Sequence, residues 1–334
     1  MQQEKTDIKS MNLDELKSYM ESIGEKPFRA KQLYQWMHEK QAASFDEMTN
    51  LSKSLQEKLK KECHFVSLKQ EAVQVSKLDG TRKYLFALDD GNVIESVLMR
   101  YKHGNSVCIS SQVGCRMGCR FCASTLDGLV RGLTPSEMLD QIYRITRDTM
   151  DNFDNLLKFI ELLTDENGLN ISQRNVTVST CGIVPKMREL ADKKLQITLA
   201  LSLHASSQEK RLELMPVANK YEIHEVIEAC RYYFEQTGRR VTFEYSLVGG
   251  VNDTEEDVRR LVDLIHGMNC HVNLIPVNPI KERSYVQPDH EAILNFKNRL
   301  EKNAINVTIR REMGRDIDGA CGQLRKRYIS HAER

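Results

Sequence analysis

With 334 residues, 40% hydrophobic and 28% charged, the chain can bury one large core plus a small appended domain, as an ordinary globular protein does in water. Its formal net charge of +1 neither demands nor excludes nucleic acid, so an RNA partner would need a local basic surface. The polar start MQQEKTDIKS lacks the apolar core of a signal peptide, and no apolar run reaches bilayer length, which predicts a cytoplasmic chain with no membrane partner.

Residues 1–65 read as a small helical domain. In NLDELKSYMESIG, Leu13, Leu16, Tyr19 and Met20 share one face at helical spacing. Pro27 opens PFRAKQLYQWMHEK, where Phe28, Leu33, Trp36 and Met37 form a second apolar stripe. A lysine-rich amphipathic segment follows from about Phe45 to Cys63. Its lysines suit a solvated face, and they could also meet phosphate. Residues 66–100 form a strand-rich linker with RKYLFAL and NVIESVLMRY, and SVCISSQ continues the pattern. The turn signals LDDGN and KHGN separate these strands.

From residue 101 to 334 strands and helices mostly alternate. LTPSEMLDQIYRI has a legible helix start, with Thr134 as N-cap, Pro135 in the first helical position and Glu137 completing a capping box. Strand-like NVTVST, QITLALSLH, RRVTFEYSLV, CHVNLIPVNP and INVTIRRE follow, with helical stretches between them. Such alternation predicts an α/β fold with a parallel sheet and outer helices, either open or closed into a barrel. One place breaks the rhythm. The helix ending near Thr149 runs into a second helix, MDNFDNLLKFIELLTDENG, with no strand between, although parallel strands need a single crossover.

The nine cysteines are odd in number and unevenly spread, which fits reduced thiols in metal or redox chemistry better than a disulfide scaffold. Three of them cluster in SSQVGCRMGCRFCAST, as Cys115, Cys119 and Cys122 at C-x3-C-x2-C spacing. A structural zinc site would close its shell with four ligands, so a distant histidine or cysteine would have to complete it. A [4Fe-4S] cluster held by three thiolates leaves one iron open, as a reactive cluster requires. Chain order places this loop after the first barrel strand, at the C-terminal end where parallel barrels carry their sites.

C-x3-C-x-aromatic-C after a strand resembles the radical S-adenosylmethionine (SAM) superfamily. With CISSQVGCRMGCRFCAST, LSLHA, NLIPVNP and DIDGACGQL, the chain is similar over nearly its whole length to the RlmN type, dual-specificity adenine-C2 methyltransferases of rRNA and tRNA. The Cfr enzymes, which methylate adenine C8, share these motifs. The resemblance implies a partial (β/α) TIM-like radical SAM barrel with a small helical N-terminal domain. It implies one [4Fe-4S] cluster on Cys115, Cys119 and Cys122, two SAM per turnover, 23S rRNA and tRNA as partners, and a flavodoxin-type reductant. A monomer is expected.

C2 of adenine is not nucleophilic, so direct methyl transfer from SAM fails. The resemblance implies that the Cys321 thiolate first takes a methyl group from one SAM. A second SAM is then cleaved reductively to a 5′-deoxyadenosyl radical, which removes a hydrogen from that methyl. Cys108 matches the resolving cysteine that helps remove the C2 proton and forms a disulfide with Cys321, and Glu95 matches the glutamate that is a proton acceptor or base contact near the adenine. Read without the family, Cys108 is a small strand residue, Glu95 a strand-surface carboxylate, and Cys321 a thiol between small neighbours. SAM contacts carry over to Ser179, to Ser202, Leu203 and His204 in LSLH, and to Asn278. Cys63, Cys181, Cys230 and Cys270 read as core or incidental thiols.

The departure from the family falls at the break in rhythm. A strand and its G-x-G-E-P turn, which hold the SAM amino group, are missing where Thr149 joins Met150. One barrel strand is therefore expected to be absent, leaving unpaired strand edges, and the alternative function is a cluster- or RNA-binding member without turnover. Candidate phosphate contacts are the basic tail ending QLRKRY and Arg131. Reaching C2 of a stacked adenine requires an extruded base or an unfolded strand.

Overall fold

The computed structural model describes residues 5–101, 104–143, 153–278, 284–311, 313–314, 316–318 and 322–332. Helix α1 (Leu13–Ser22) begins at Asn12, whose side chain accepts from the Glu15 N–H while the Glu15 carboxylate accepts from the Asn12 N–H. It buries Leu16 and Met20, the face picked out by their spacing. Helix α2 (Phe28–Tyr34) buries Ala30, Leu33 and Tyr34, and the wide turn Gln35–Glu39 continues it and buries Met37 and His38. Phe28 departs from the predicted stripe, being 53% exposed under the Arg29 guanidinium. Helix α3 (Lys53–Glu62), capped by Ser52, buries Leu55 and Leu59. The short strands β1 (Thr6–Asp7) and β2 (Cys63–His64) pair in parallel.

Four strands then form an antiparallel sheet in chain order: β3 (Lys69–Val75), β4 (Arg82–Ala87), β5 (Val93–Tyr101) and β6 (Gly104–Ile109). A separate antiparallel pair, β7 (Gln112–Gly114) with β8 (Leu129–Gly132), brackets the three clustered cysteines. Helix α4 (Pro135–Ile142) starts as its sequence predicts, with the Thr134–Glu137 capping box in place. Its Asp140 carboxylate accepts from the Lys9 ammonium at 2.7 Å, and both side chains are buried, which ties the N-terminal helices to the core. Helix α5 (Phe153–Thr164) packs on α4.

The core is a five-stranded parallel sheet in the order β9 (Thr177–Thr180), β10 (Thr198–Ser202), β11 (Val241–Leu247), β12 (Cys270–Pro276) and β13 (Asn306–Ile309). Between these strands run α6 (Val184–Asp192), α7 (Gln208–Leu214), α8 (Ile223–Thr237), α9 (Glu255–Ile265) and α10 (His290–Lys302), as the alternating pattern predicts. Leu199, Leu201, Val241, Phe243, Tyr245, Val272 and Leu274 fill the interior with no exposed surface. The last helix, α11 (Gln323–Ala332), returns to β5.

One expectation is altered. Strand β6, expected as the first barrel strand, pairs antiparallel with β5, and among the described residues nothing pairs with its other edge. The outer edge of β9 likewise has no partner among the described residues. The Thr149–Met150 junction itself lies outside the described residues.

Candidate active site

The cysteine loop is pinned at its base. The Cys115 N–H donates to the Gly128 carbonyl at 2.9 Å, across the mouth of the β7–β8 pair. Gly114 has φ +75°, and a Cβ there would lie 2.0 Å from the Gly128 oxygen, so only glycine permits this closure. Within the loop the Thr125 hydroxyl donates to the carbonyls of Cys119 (3.2 Å) and Cys122 (2.9 Å). The Arg120 N–H donates to the Leu214 carbonyl at 3.0 Å, fixing the loop to the end of α7.

Cys115, Cys119 and Cys122 line one cavity of about 400 Å³. The ends of β9–β12 and the residues after β6 and β13 complete its wall, contributing Ser179, Ser202, Ser246, Ile275, Ser110 and Arg310. Three thiols spread around a cavity suit a cluster, whose thiolates bind separate irons. A second observation fits the same group. Arg211 is fully buried behind this loop, and its Nε has no hydrogen-bond partner.

The proposed SAM residues divide into two kinds. Ser179, Ser202, His204 and Asn278 line the cavity, whereas the Leu203 side chain is buried in the core. His204 sits in the left-handed region (φ +56°) and is 6% exposed. Its Nδ1 accepts from the Ser246 N–H at 2.9 Å, and its carbonyl accepts from the Asn252 side chain at 2.8 Å. Burial, and then the Arg211 charge, push its pKa down to about 3, so the imidazole is neutral. The Phe121 ring meets it edge-on at 4.9 Å, which gives the aromatic of the cysteine motif a packing role.

Cys108 pairs across to Val97 on β5, is half-buried and lines the cavity. Glu95 is buried rather than on a strand surface. Its Oε2 accepts from the Gly322 N–H at 2.7 Å and its Oε1 from the Arg325 N–H at 2.6 Å, capping the start of α11. The Lys83 ammonium lies 3.1 Å from the same carboxylate and donates to the Asp318 carbonyl at 2.5 Å. Cys321 lies outside the described residues. Its neighbour Gly322 is packed so closely on the cysteine loop that a Cβ would stand 2.7 Å from the Ser124 nitrogen.

Three features were not anticipated from sequence. Cys181, read as incidental, is half-buried on the cavity wall and packs in the same cluster as Cys119 and Cys122. Glu244 also faces the cavity, bonded to Asn273 at 2.8 Å, and burial raises its pKa. Its signal was a lone carboxylate between the buried Phe243 and Tyr245 of a parallel strand. Finally, the basic residues read as phosphate contacts are mostly paired. Arg131 binds Glu137 and Asp90, Lys326 binds Asp127, and Arg327 binds Asp318.

Residues 6–65 match the family model for the ribosomal RNA large subunit methyltransferase N-terminal domain, and residues 109–265 match that for the radical SAM superfamily. The chain is 68% identical over 339 residues to a Lachnospira eligens protein named "Probable dual-specificity RNA methyltransferase RlmN", with 97% of each chain covered. A Clostridioides difficile protein of the same name is 51% identical, covering 98% of this chain and all of its own. The span of 339 residues exceeds the 334 of this chain, so the Lachnospira protein carries positions with no counterpart here. A solved structure, a radical SAM methyltransferase from Sphaerobacter thermophilus, superposes with a TM-score of 0.90 at 37% identity, covering 95% of this chain and 98% of that one.

Proposed function

This chain belongs to the RlmN family of radical SAM RNA methyltransferases, and we propose that it methylates C2 of adenine in 23S rRNA and in tRNAs, consuming two SAM per turnover. The family works with a [4Fe-4S] cluster and SAM. The observation that carries the reading is the meeting of the cysteine loop with the C-terminal segment. Gly322, adjacent to Cys321, rests on Ser124, two residues beyond Cys122.

Cys115, Cys119 and Cys122 would hold the cluster, which when bound supplies one-electron reductive cleavage of SAM. Cys321 acts first as a nucleophile: its thiolate forms a bond to the SAM methyl carbon, the sulfonium–methyl bond breaks, and S-adenosylhomocysteine leaves. His204 contributes a fixed donor. Because Nδ1 accepts from Ser246, the proton of the neutral ring sits on Nε2. Ser179, Ser202 and Asn278 offer further polar groups at the strand ends, and Leu203 can contribute only through its backbone.

Glu95 serves as proton acceptor. The Cys108 thiolate attacks the Cys321 sulfur: the S–S bond forms, the bond from that sulfur to the transferred carbon breaks, and the electron pair stays on that carbon, which takes up a proton to become the product methyl. A thiol reductant must then reopen the disulfide before the next turnover. The Glu95 oxygens accept one hydrogen bond each, from the Gly322 and Arg325 amides, and a carboxylate keeps acceptor sites beyond these two. The same group that takes the proton thus also anchors Gly322, the neighbour of Cys321. A low-potential one-electron donor of the flavodoxin class supplies the reducing electron.

The test uses the full chain with its cluster reconstituted anaerobically, methyl-labelled SAM, a reductant and an rRNA fragment. Catalytic 5′-deoxyadenosine together with 2-methyladenosine is the expected result. 8-Methyladenosine in its place would overturn the C2 assignment. A loaded cluster with neither product would identify a binding protein without turnover.

A further inference from the structure

Three basic side chains are fully buried among the described residues: Lys9, Lys83 and Arg211. Lys9 has Asp140 as its anion and Lys83 has Glu95. Arg211 has none. Its guanidinium donates to the carbonyls of Tyr221 (3.1 Å) and Cys181 (2.6 Å), its Nε is unpartnered, and no carboxylate pairs with it among the described residues. Removing a guanidinium from water without a countercharge is costly, and cores that keep one ordinarily supply an anion close by.

The neighbours show where that anion belongs. Arg211 lies on α7, whose end packs against the cysteine loop: Leu214 and Met215 cluster with Cys119 and Cys181, and the Leu214 carbonyl accepts from Arg120. Gly182, at φ +101°, leaves room for the guanidinium, since a Cβ there would meet its Nη2 at 3.0 Å. His204, which lines the cavity, has its pKa lowered by burial and then by the Arg211 charge.

We propose that Arg211 is the fixed countercharge of the thiolate-bound cluster and sets its reduction potential. This rests on the reading of Cys115, Cys119 and Cys122 as cluster ligands. Reduction adds one negative charge to an already anionic cluster. A positive charge fixed nearby in a medium of low dielectric stabilises the reduced form more than the oxidised one. Arg211 therefore eases entry of the electron that the family's chemistry needs. It acts through the cluster and touches no reacting atom, so it is a positioning residue.

The experiment is a redox titration of the reconstituted full chain with dithionite, followed by electron paramagnetic resonance. Wild type is compared with Arg211→Lys, Arg211→Met and Arg211→Gln. Iron and sulfide content and thermal melting are measured on each. The neutral variants should show at least a tenfold lower ratio of reduced to oxidised cluster at a fixed potential, equivalent to about 59 mV for one electron. Arg211→Lys should stay near wild type. If neither neutral variant holds a cluster while Arg211→Lys does, the charge is again marked as the cluster's partner. Equal potentials across loaded variants, with only melting changed, would reduce Arg211 to a structural residue and overturn the inference. A wild-type chain that takes up no iron would instead overturn the reading of the cysteines.

Discussion

The Lys83 ammonium lies 3.1 Å from the Glu95 carboxylate with both side chains buried, and together they grip both ends of the segment around Cys321. Lys83 holds the Asp318 carbonyl, while Glu95 holds the amides of Gly322 and Arg325. The antiparallel sheet, legible in sequence only as a strand-rich linker, is thus a cradle for the C-terminal segment. Gln74 and Ser76 add to it through Asp318 and Asp316.

Removing one member of this pair leaves the other buried without its partner. Lys83→Met should cost about 3–5 kcal/mol, the usual penalty for a broken buried ion pair. Urea unfolding would measure the loss. Amide hydrogen exchange over 322–329 should rise in the same variant, and unchanged protection there would separate the pair from the docking of α11.

A second buried pair links the N-terminal helices to α4. The Asp140 carboxylate accepts from Lys9 and from the Leu68 N–H, each at 2.7 Å. Asp140→Leu should destabilise the chain by about 3–5 kcal/mol, as should Lys9→Met, and the double variant Lys9→Met/Asp140→Leu should recover much of that by removing both charges. A denaturation cycle of the four chains tests this. Additive losses would show that the two side chains do not depend on each other.

How much of this could be read from the sequence depended on the range of the interactions. The capping box at Thr134 was open to reading because its donors and acceptors lie three residues apart; the same arrangement at Asn12 went unread. The parallel sheet was open to reading because β9–β13 are short apolar runs with helices between them. The cysteine triplet announced itself for the same local reason. The hold of Lys83 and Glu95 on the segment from Asp318 to Arg325 was opaque, since no periodicity connects residues more than 200 positions apart. Arg211 was hidden in a charged helix pattern, QEKRLEL, which reads as a solvated face until the fold buries it. Arg131 misled in the opposite sense: it looked available to phosphate, but Glu137, six residues on, occupies its guanidinium.

His38 gives the chain an acid-side sensitivity. Its ring is buried, with Nδ1 against the Tyr143 hydroxyl at 2.8 Å, and burial followed by the Lys9 charge pushes its pKa down to about 3. Between about pH 6.5 and 3 the unfolded chain binds a proton there that the native chain does not. Stability should therefore fall with pH across that window by about 1.4 kcal/mol per unit from this residue. Comparing urea midpoints at pH 7, 6 and 5 for wild type and His38→Phe should show a shallower slope in the variant. Equal slopes would remove His38 as the cause.

The edges of β6 and β9, which have no partner among the described residues, bear on SAM itself. With no G-x-G-E-P turn between Thr149 and Met150, the proposed SAM contacts are left to the residues lining the cavity at the ends of β9–β12 and on the cysteine loop. One missing charge-assisted hydrogen bond is worth about 1.5–3 kcal/mol. SAM should therefore bind roughly 10- to 100-fold more weakly than it does to the same chain with the family's strand and G-x-G-E-P turn inserted between Thr149 and Met150. The inserted chain should gain the affinity because the turn would supply the amino-group contacts. Titration calorimetry on the loaded chains, before and after insertion, measures both. If the insertion leaves SAM affinity unchanged, the lost turn is dispensable for binding.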